Sequence, residues 1–402
     1  GNLDGRSRLG NGDDLGLGRI DKNGLFGNGH VVCVTRHRGD AIGADVAPSS
    51  SSPRGGRGCD AMMTVVPCLA GARRVPSHRV RCAAVLVLLA AALASCAPTG
   101  SSWSWTARRT VPGGAVLNAL ACPTASTCVA LVGGVQSERS DGTSWSAPVP
   151  VEQVSGANAP SVLTCVHATW CATFDGLGRV LTFDGEHWSQ PVQVDSASAG
   201  ISGISCASPD FCAIVDSGGD AAIYDGMDWS RPAPVADSSG LAAVSCPSAG
   251  LCFAVDVQSD EVFRYTDGKW GVSADLSLST PQGGSEPNSL ADISCGSRSF
   301  CVALDDFGEA FTYDGKWSGP HTFDSNLADG DAALSCTAAL VCVVVDDNDN
   351  VVIDQNGAWS APRHLDAASS TMLLSVACAR RARCVAIDGR GGYFIGRSAK
   401  GG

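Results

Sequence analysis

Fourteen of the 19 cysteines stand in seven pairs, each with five intervening residues: Cys122/Cys128, Cys165/Cys171, Cys206/Cys212, Cys246/Cys252, Cys295/Cys301, Cys336/Cys342 and Cys378/Cys384. Thiols so spaced either bond to each other or ligate a metal. Structural zinc sites set paired ligands roughly two to four residues apart and gather a full tetrahedron of groups on one ion. Here the first members of the pairs step by 40 to 49 residues, and no second cluster brings them together in sequence, so disulfides are expected. Each bridge would close a loop of seven residues, contributing about 2 kcal/mol in a chain-entropy account. That many bridges belong to an oxidising compartment outside the cytoplasm. Other chemistry is sparse. Beyond residue 95 there are four histidines (His167, His187, His321, His364), none at a repeated position, and neither a Gly-x-Ser-x-Gly elbow nor a His-Glu-x-x-His run occurs. The recurring carboxylates are Asp175, Asp216, Asp256, Asp305, Asp346 and Asp388, each closing the apolar stretch that follows a second cysteine. They read either as turn residues bonding their own backbone or as an acidic binding face. A cation-binding rim is the sharper form of that reading. Its richest oxygen cluster is Asp346, Asp347 and Asp349 with Asn348 and Asn350, and calcium is its ion.

The elements that carry these residues follow from a repeat. Around each cysteine pair runs an alternating apolar approach to Ser-Cys, an apolar stretch after the second Cys, and in most units a Tyr/Phe-Asp-Gly-like turn followed by Trp. The clearest copy is Ile204-Ser205-Cys206, Phe211 to Asp216, Tyr224-Asp225-Gly226 and Trp229-Ser230. Alternation of period two with Gly, Asp, Pro and Ser punctuation predicts four short antiparallel strands per unit. Four strands in roughly 42 residues is the size of a β-propeller blade, and the fold class is all-β, seven-bladed. The last unit ends at Tyr393-Phe394-Ile395-Gly396 without its Trp strand, whereas Trp105 to Val111, ahead of the first unit, matches that strand. The N-terminal strand is therefore expected to complete the last blade and remove the open sheet edge. The repeat tryptophans would pack between blades, with carbohydrate stacking as the alternative. Trp170, inside the second cysteine loop, is outside the pattern.

Charge divides the chain at a targeting signal. Residues 1–95 hold 12 Lys+Arg against 7 Asp+Glu, and residues 96–402 hold 16 against 33. So acidic a body excludes a nucleic-acid binder, which carries a basic face. Arg73, Arg74, Arg79 and Arg81 precede an apolar run, Cys82 to Ala94, of 13 residues. A run of that length suits a signal-peptide core and is short for a membrane span. It ends in Leu93-Ala94-Ser95-Cys96, which resembles a bacterial lipobox. The resemblance implies that Cys96 is the first mature residue and carries the lipid; the other reading is a secretory signal cleaved nearby, with Cys96 an ordinary thiol. The expected organisation is a disordered or spurious extension over 1–61, a signal peptide over 62–95, a tether over 96–102, a propeller over 103–397 and a tail over 398–402.

The repeat (Ser-Cys … Cys-x-Ala-Val-Asp … Tyr-Asp-Gly-x-x-Trp-Ser) resembles the tandem repeats of secreted and surface propeller proteins of GC-rich Gram-positive bacteria. It is also similar to the Asp-box of sialidase-like propellers, but Asp and Gly are adjacent here, and no repeated arginine set accompanies them. The expected function is a lipid-anchored, monomeric binding module outside the cytoplasm. Its partner would be a protein or glycan met on the acidic outward face. The alternatives are a propeller glycosidase or lyase with its site at the channel mouth, and an envelope assembly scaffold. The order of strands would put the cysteine loops and Tyr-Asp-Gly turns on the face toward the membrane, together with the basic loop Arg380, Arg381 and Arg383.

Overall fold

Within each unit the apolar residues alternate, and both strand faces find a neighbour to bury them. The computed structural model describes residues 103–111, 114–151, 158–195, 200–278, 288–327, 332–365, 372–379 and 383–399. The extension, the signal segment, Cys96 and its tether, Arg380 and Arg381, and most of the long link between Ser273 and Asn288 lie outside these residues. The strands form seven antiparallel sheets, each a four-stranded blade. In blade three the order from axis to rim is Ile201–Ser208, Phe211–Asp216, Asp220–Tyr224 and Ala233–Pro234. The first strands of all seven blades line one central channel.

The core is seven clusters, each between two adjacent blades. The second strand shows why. Leu251–Asp256 is buried at every residue. Cys252 and Ala254 enter the cluster shared with blade three, and Phe253 and Val255 enter the one shared with blade five. Among the described side chains Phe253, Phe263, Phe311 and Phe394 are the largest that are wholly buried, each contributing about 1.5–3 kcal/mol. Every cluster is flanked by a tryptophan of its downstream blade: Trp145, Trp188, Trp229, Trp270, Trp317, Trp359 and, at the last seam, Trp105 with Trp103. The aromatic residue before the Asp-Gly turn packs on that tryptophan, as Tyr224 does on Trp229 at 5.5 Å and Tyr313 on Trp317 at 5.3 Å. Those tyrosines are packing residues.

All seven cysteine pairs are disulfides between the first two strands of a blade, with Cα atoms 3.9–4.0 Å apart. The two ends of each bridge differ in setting. The first cysteines, Cys122, Cys165, Cys206, Cys295, Cys336 and Cys378, are half-buried beside the channel, and Cys246 is buried. The second cysteines, Cys128, Cys171, Cys212, Cys252, Cys301, Cys342 and Cys384, are all buried, at 3% exposure or less. Each of these seven lies on a second strand; six pack into an inter-blade cluster, and Cys212 lies at the base of the groove between blades two and three. The expected pairing therefore holds at every position, and Cys128, Cys171, Cys212, Cys252, Cys301, Cys342 and Cys384 are bridged framework residues. The serine before the first cysteine reaches the next blade. The hydroxyl oxygens of Ser205, Ser245, Ser294 and Ser335 each accept the N–H of the first cysteine one blade on, at 2.9 Å. Ser-Cys is thus one device: the thiol ties a hairpin and the hydroxyl ties two blades.

The ring shuts as the sequence predicts. Trp105 pairs with Gly396, Arg109 with Tyr393 and Thr110 with Gly392, which repeats the register of blade three, where Trp229 bridges to Tyr224 and Ala233–Pro234 pairs with Asp220 and Ala221. Trp103 and Ser104 extend the pairing to Ser398 and Arg397. Gly396 occupies the Tyr/Phe position because the Trp105 indole lies 2.7 Å from where its β-carbon would stand. Arg108 clamps the closure: its Nε donates to Asp388 Oδ2, and its terminal nitrogen to Asp388 Oδ1 at 2.9 Å and to the Arg390 carbonyl at 3.1 Å. A protein lacking Trp103 to Val111 would leave strand Gly392–Ser398 as a free edge. It is expected to melt several degrees lower and to self-associate, read by differential scanning fluorimetry and light scattering; a monomer of unchanged melting temperature would contradict this account of closure.

Candidate functional site

Three regions carry polar or aromatic groups: the face of the second-to-third-strand hairpins, the channel, and the groove between blades two and three. On the hairpin face, the six recurring aspartates do not present an exposed acidic surface. Asp175, Asp216, Asp256, Asp305, Asp346 and Asp388 are all buried, at 3% exposure or less. In each, one oxygen accepts two backbone N–H groups of its own hairpin, as Asp216 Oδ1 does from Gly218 at 3.0 Å and Asp220 at 2.7 Å. The same pattern holds at Asp175, Asp256, Asp305, Asp346 and Asp388. A carboxylate spent on closing a tight turn has no face to offer a partner, which corrects the expectation of a binding surface built from these six. Of the three cation candidates, Asp346 and Asp349 are buried and Asp347 is half-buried.

Burial and charge act differently from blade to blade. Burial pushes the Asp305 and Asp346 carboxyls up to about 6, against the pull of their hydrogen bonds. At Asp388 burial raises, but the Arg108 guanidinium and two N–H groups outweigh it and hold the pKa below the usual range.

Besides polar turn residues such as Ser217, Gln258, Asn348 and Arg390, the hairpin face exposes apolar ones. Val116 and Met372 directly precede the first strands of blades one and seven, at 42% and 54% exposure. Their carbonyls accept the N–H of Gly133 and Gly389 in the adjoining hairpins, at 3.0 and 3.1 Å. Leu374, at 37%, lines the channel, and Leu177, at 46%, tips the hairpin of blade two. Four exposed apolar residues thus sit on one face of three successive blades.

The channel is about 580 Å³ and is lined by small side chains, among them Asn118, Ser161, Ser202 and Ser375. Asp292 is the one ionisable residue of that lining among the described residues, and no histidine reaches it. Its Oδ1 accepts the Ile293 N–H at 2.7 Å and its Oδ2 the Leu334 N–H of the next blade at 2.9 Å, while burial pushes its carboxyl up to about 6. His167, His187, His321 and His364 are exposed.

The groove between blades two and three measures about 480 Å³ and contains Trp170, Tyr224, Met227 and Trp229, with Val192 at its lip. Met227 is 80% exposed and Val192 53%. Trp170 therefore packs between blades like the repeat tryptophans, yet also widens the aromatic wall of this one groove. On the disulfide face the Asp141, Asp184 and Asp225 carboxylates accept turn N–H groups, which lowers their pKa values. Arg383 spans the seam to the Ala125 carbonyl and, at 3.4 Å, to the Gly142 carbonyl; burial and the charges of Arg397 and Arg109 lower its pKa. It is a seam residue more than a free patch.

Comparison with known proteins shows the fold alone. No family model and no curated protein matches. Similar solved structures include a catalytically inactive virginiamycin B lyase from Staphylococcus aureus with quinupristin (TM-score 0.60, 7% identity, 74% of this chain, 99% of that one). YCF48 bound to a D1 peptide gives a TM-score of 0.55 at 11% identity, over 75% and 99% of the two chains. The WD40 propeller of Doa1 gives 0.56 at 9%, over 75% and 99%.

Sequence reasoning missed the inter-blade role of the serines, though their recurrence before cysteine was the signal. It also missed Asp292, which no pattern marks. A pH dependence follows. With folded pKa values near 6, above the unfolded value of about 3.9, Asp292, Asp305 and Asp346 favour the folded state most below about pH 4. That contribution is lost as pH rises through about 6. Asp388, with its lowered pKa, works in the opposite sense, its contribution present above about pH 4 and lost on acidification. In urea denaturation at pH 4 to 7 without metal, Asp292→Asn is expected to lose less stability over that rise than the parent; identical slopes would contradict the assignment.

Proposed function

We propose that the protein is a non-catalytic binding module outside the cytoplasm, recognising a protein partner through the hairpin face of blades seven, one and two. The observation that carries this is the exposed apolar set Met372, Leu374, Val116 and Leu177 on one face of a rigid ring, where exposed polar residues such as Ser217 and Arg390 stand on the same face. Apolar surface with a polar rim is the signature of an interaction site. A fixed scaffold adds specificity because little conformational freedom is lost on binding. Among the neighbours, YCF48 holds a D1 peptide, so a propeller of this shape serves peptide recognition. The seven disulfides support the extracytoplasmic setting.

Membrane attachment through Cys96 belongs to the same reading. Trp103 pairs with Ser398, at the disulfide-face end of blade seven, and Cys96 lies seven residues upstream. That length reaches at most about 25 Å, so an acylated Cys96 would hold the disulfide face toward the bilayer and leave the hairpin face outward. A glycan partner is the second reading. It is favoured by the groove of Trp170, Tyr224 and Trp229, whose rings offer stacking platforms.

Photo-crosslinking on intact cells separates these readings. A crosslinker at Met372 or Val116 is expected to trap a protein, and Leu177→Glu with Met372→Glu to weaken that complex at least tenfold without lowering the melting temperature. Adducts only from Thr143 on the disulfide face would overturn the proposal. Retention of the complex by a glycan column, lost in Trp170→Ala, would favour the second reading. Metabolic palmitate labelling that Cys96→Ala abolishes is expected if the anchor is present.

A further inference from the structure

The residue after the repeat tryptophan carries a hydroxyl in every blade but the fourth, where it is Gly271. The hydroxyls of Ser146, Ser189, Ser230 and Ser360 each accept, at 3.0 Å, the N–H of the residue opposite on the third strand, and Thr106 accepts that of Ile395 at 3.1 Å. In blade four the residue opposite Gly271 is Arg264. A β-carbon at Gly271 would meet nothing within 4 Å, so the space that a side chain fills in the other blades stands open beside an arginine.

Arg264 is left without an anion. Its Nε is buried with no acceptor, and no carboxylate among the described residues pairs with its guanidinium. The Phe253 ring lies under it, with the centroid 5.6 Å from Cζ. By contrast, Arg108 and Arg179 each meet a hairpin aspartate. Arg264 and Ser273 line two adjoining hollows at the outer edge of blade four. One, of about 360 Å³, contains Lys269 and Gly271; the other, of about 420 Å³, reaches blade five and contains Lys316 and Trp317. Both lysines are exposed. The acid of these walls, Asp275, accepts the Ser277 N–H at 2.8 Å and the Ser277 hydroxyl at 3.2 Å. Asp267 and Asp314, in the turns that carry the lysines, line neither hollow. Three cations thus gather at one seam of a body, residues 96–402, that holds 16 Lys+Arg against 33 Asp+Glu. A part-buried charge with no partner is costly, and a ligand that supplies the opposite charge recovers that cost.

We propose that Arg264 and Lys316 bind an acidic sugar in the hollow between blades four and five, its charge supplied by a carboxylate or a phosphate. The guanidinium fork presents paired N–H donors that match either anion. Trp317 is half-buried and turns part of its surface into the hollow, and the Ser273 and Ser318 hydroxyls stand beside it. An aromatic wall with a few polar groups, in a volume of this size, suits a small ligand. An extended acidic peptide fits less well. The edge strands that border the hollow, Lys269–Asp275 and Trp317–Thr322, carry Lys269 and Pro320, and both residue types discourage strand addition. The site is separate from the apolar face of blades seven, one and two and from the Trp170 groove, and it rests on neither.

The test titrates the purified protein at low salt with glucuronate, glucose 6-phosphate, glucose, inorganic phosphate and an oligoglutamate peptide, read by tryptophan fluorescence and calorimetry. At least one acidic sugar is expected to bind more tightly than glucose, phosphate or peptide, and the tighter of the two identifies the anion. Arg264→Gln and Lys316→Ala are each expected to weaken that binding about tenfold or more. Gly271→Glu keeps Arg264 but sets a carboxylate opposite it across the strands. It is expected to melt no lower than the parent and to lose the sugar. Failure of both acidic sugars to bind overturns the proposal, as does equal affinity in the parent and the folded variants. Phosphate or peptide binding as tightly as the sugar overturns it too, since the anion alone would then account for the site.

Discussion

Every blade depends on having a neighbour on both sides. A second strand such as Leu251–Asp256, buried at each residue, would as an isolated sheet expose an apolar surface on both faces. It is soluble only because the blades on either side cover it, and the ring has no end blade that must be polar. Closure is therefore the constraint from which the rest follows. It explains why the chain begins its described part with a strand belonging to its last blade, and why that junction is reinforced. The Arg108–Asp388 pair ties the closing segment within blade seven, and the Trp103 and Trp105 rings in the last cluster and the edge contact of Tyr393 on Trp145 lie on the two seams that flank it.

The disulfides and serines extend the same logic toward the axis, where the sheets are narrowest and apolar area is scarce. Small residues must line the channel, since seven first strands converge there, and small residues bury little surface. Covalent bridges within blades and hydroxyl–amide bonds between them supply what hydrophobic burial cannot at that radius. The alternation of large inter-blade side chains outside and Ser-Cys inside is thus a response to the geometry of a closed ring, and it is written into each repeat.

The architecture was legible because it recurs. The cysteine spacing, the Asp-Gly turns and the misplaced Trp105 segment gave blade number, strand count and register, and the structure reproduces each. The direction of the carboxylates was not legible. An aspartate at a hairpin looks the same in sequence whether it faces solvent or folds back onto its own amides, and Asp216 folds back. The difference is decided by whether a link or closing strand covers the turn, which is tertiary information. The depth of the sulfurs was hidden in the same way: spacing pairs Cys206 with Cys212 but does not tell that Cys212 is the more deeply buried of the two. Asp292 escaped for the opposite reason: it replaces the small residue that other blades put in the channel wall, and a single substitution leaves no periodic trace.

These cases divide the molecule by function. What occurs in nearly every blade is committed to holding the ring, and its polar atoms are consumed in doing so: hairpin aspartates by amides, serines by the next cysteine, tryptophans by the clusters. Recognition of anything outside the ring must therefore rest on features that occur once or twice. The described ring has few of these: the apolar set on blades seven, one and two, the aromatic groove around Trp170, the lone channel carboxylate Asp292, and the unpaired Arg264 at the seam of blades four and five. Of these the apolar set alone spans several blades on one open face. A macromolecular partner requires such breadth, whereas the other three are sized for a sugar or a proton. The hierarchy of the proposals follows from that difference in scale, since a site confined to one seam can tune the ring or hold a small ligand while a surface crossing three blades can hold a chain.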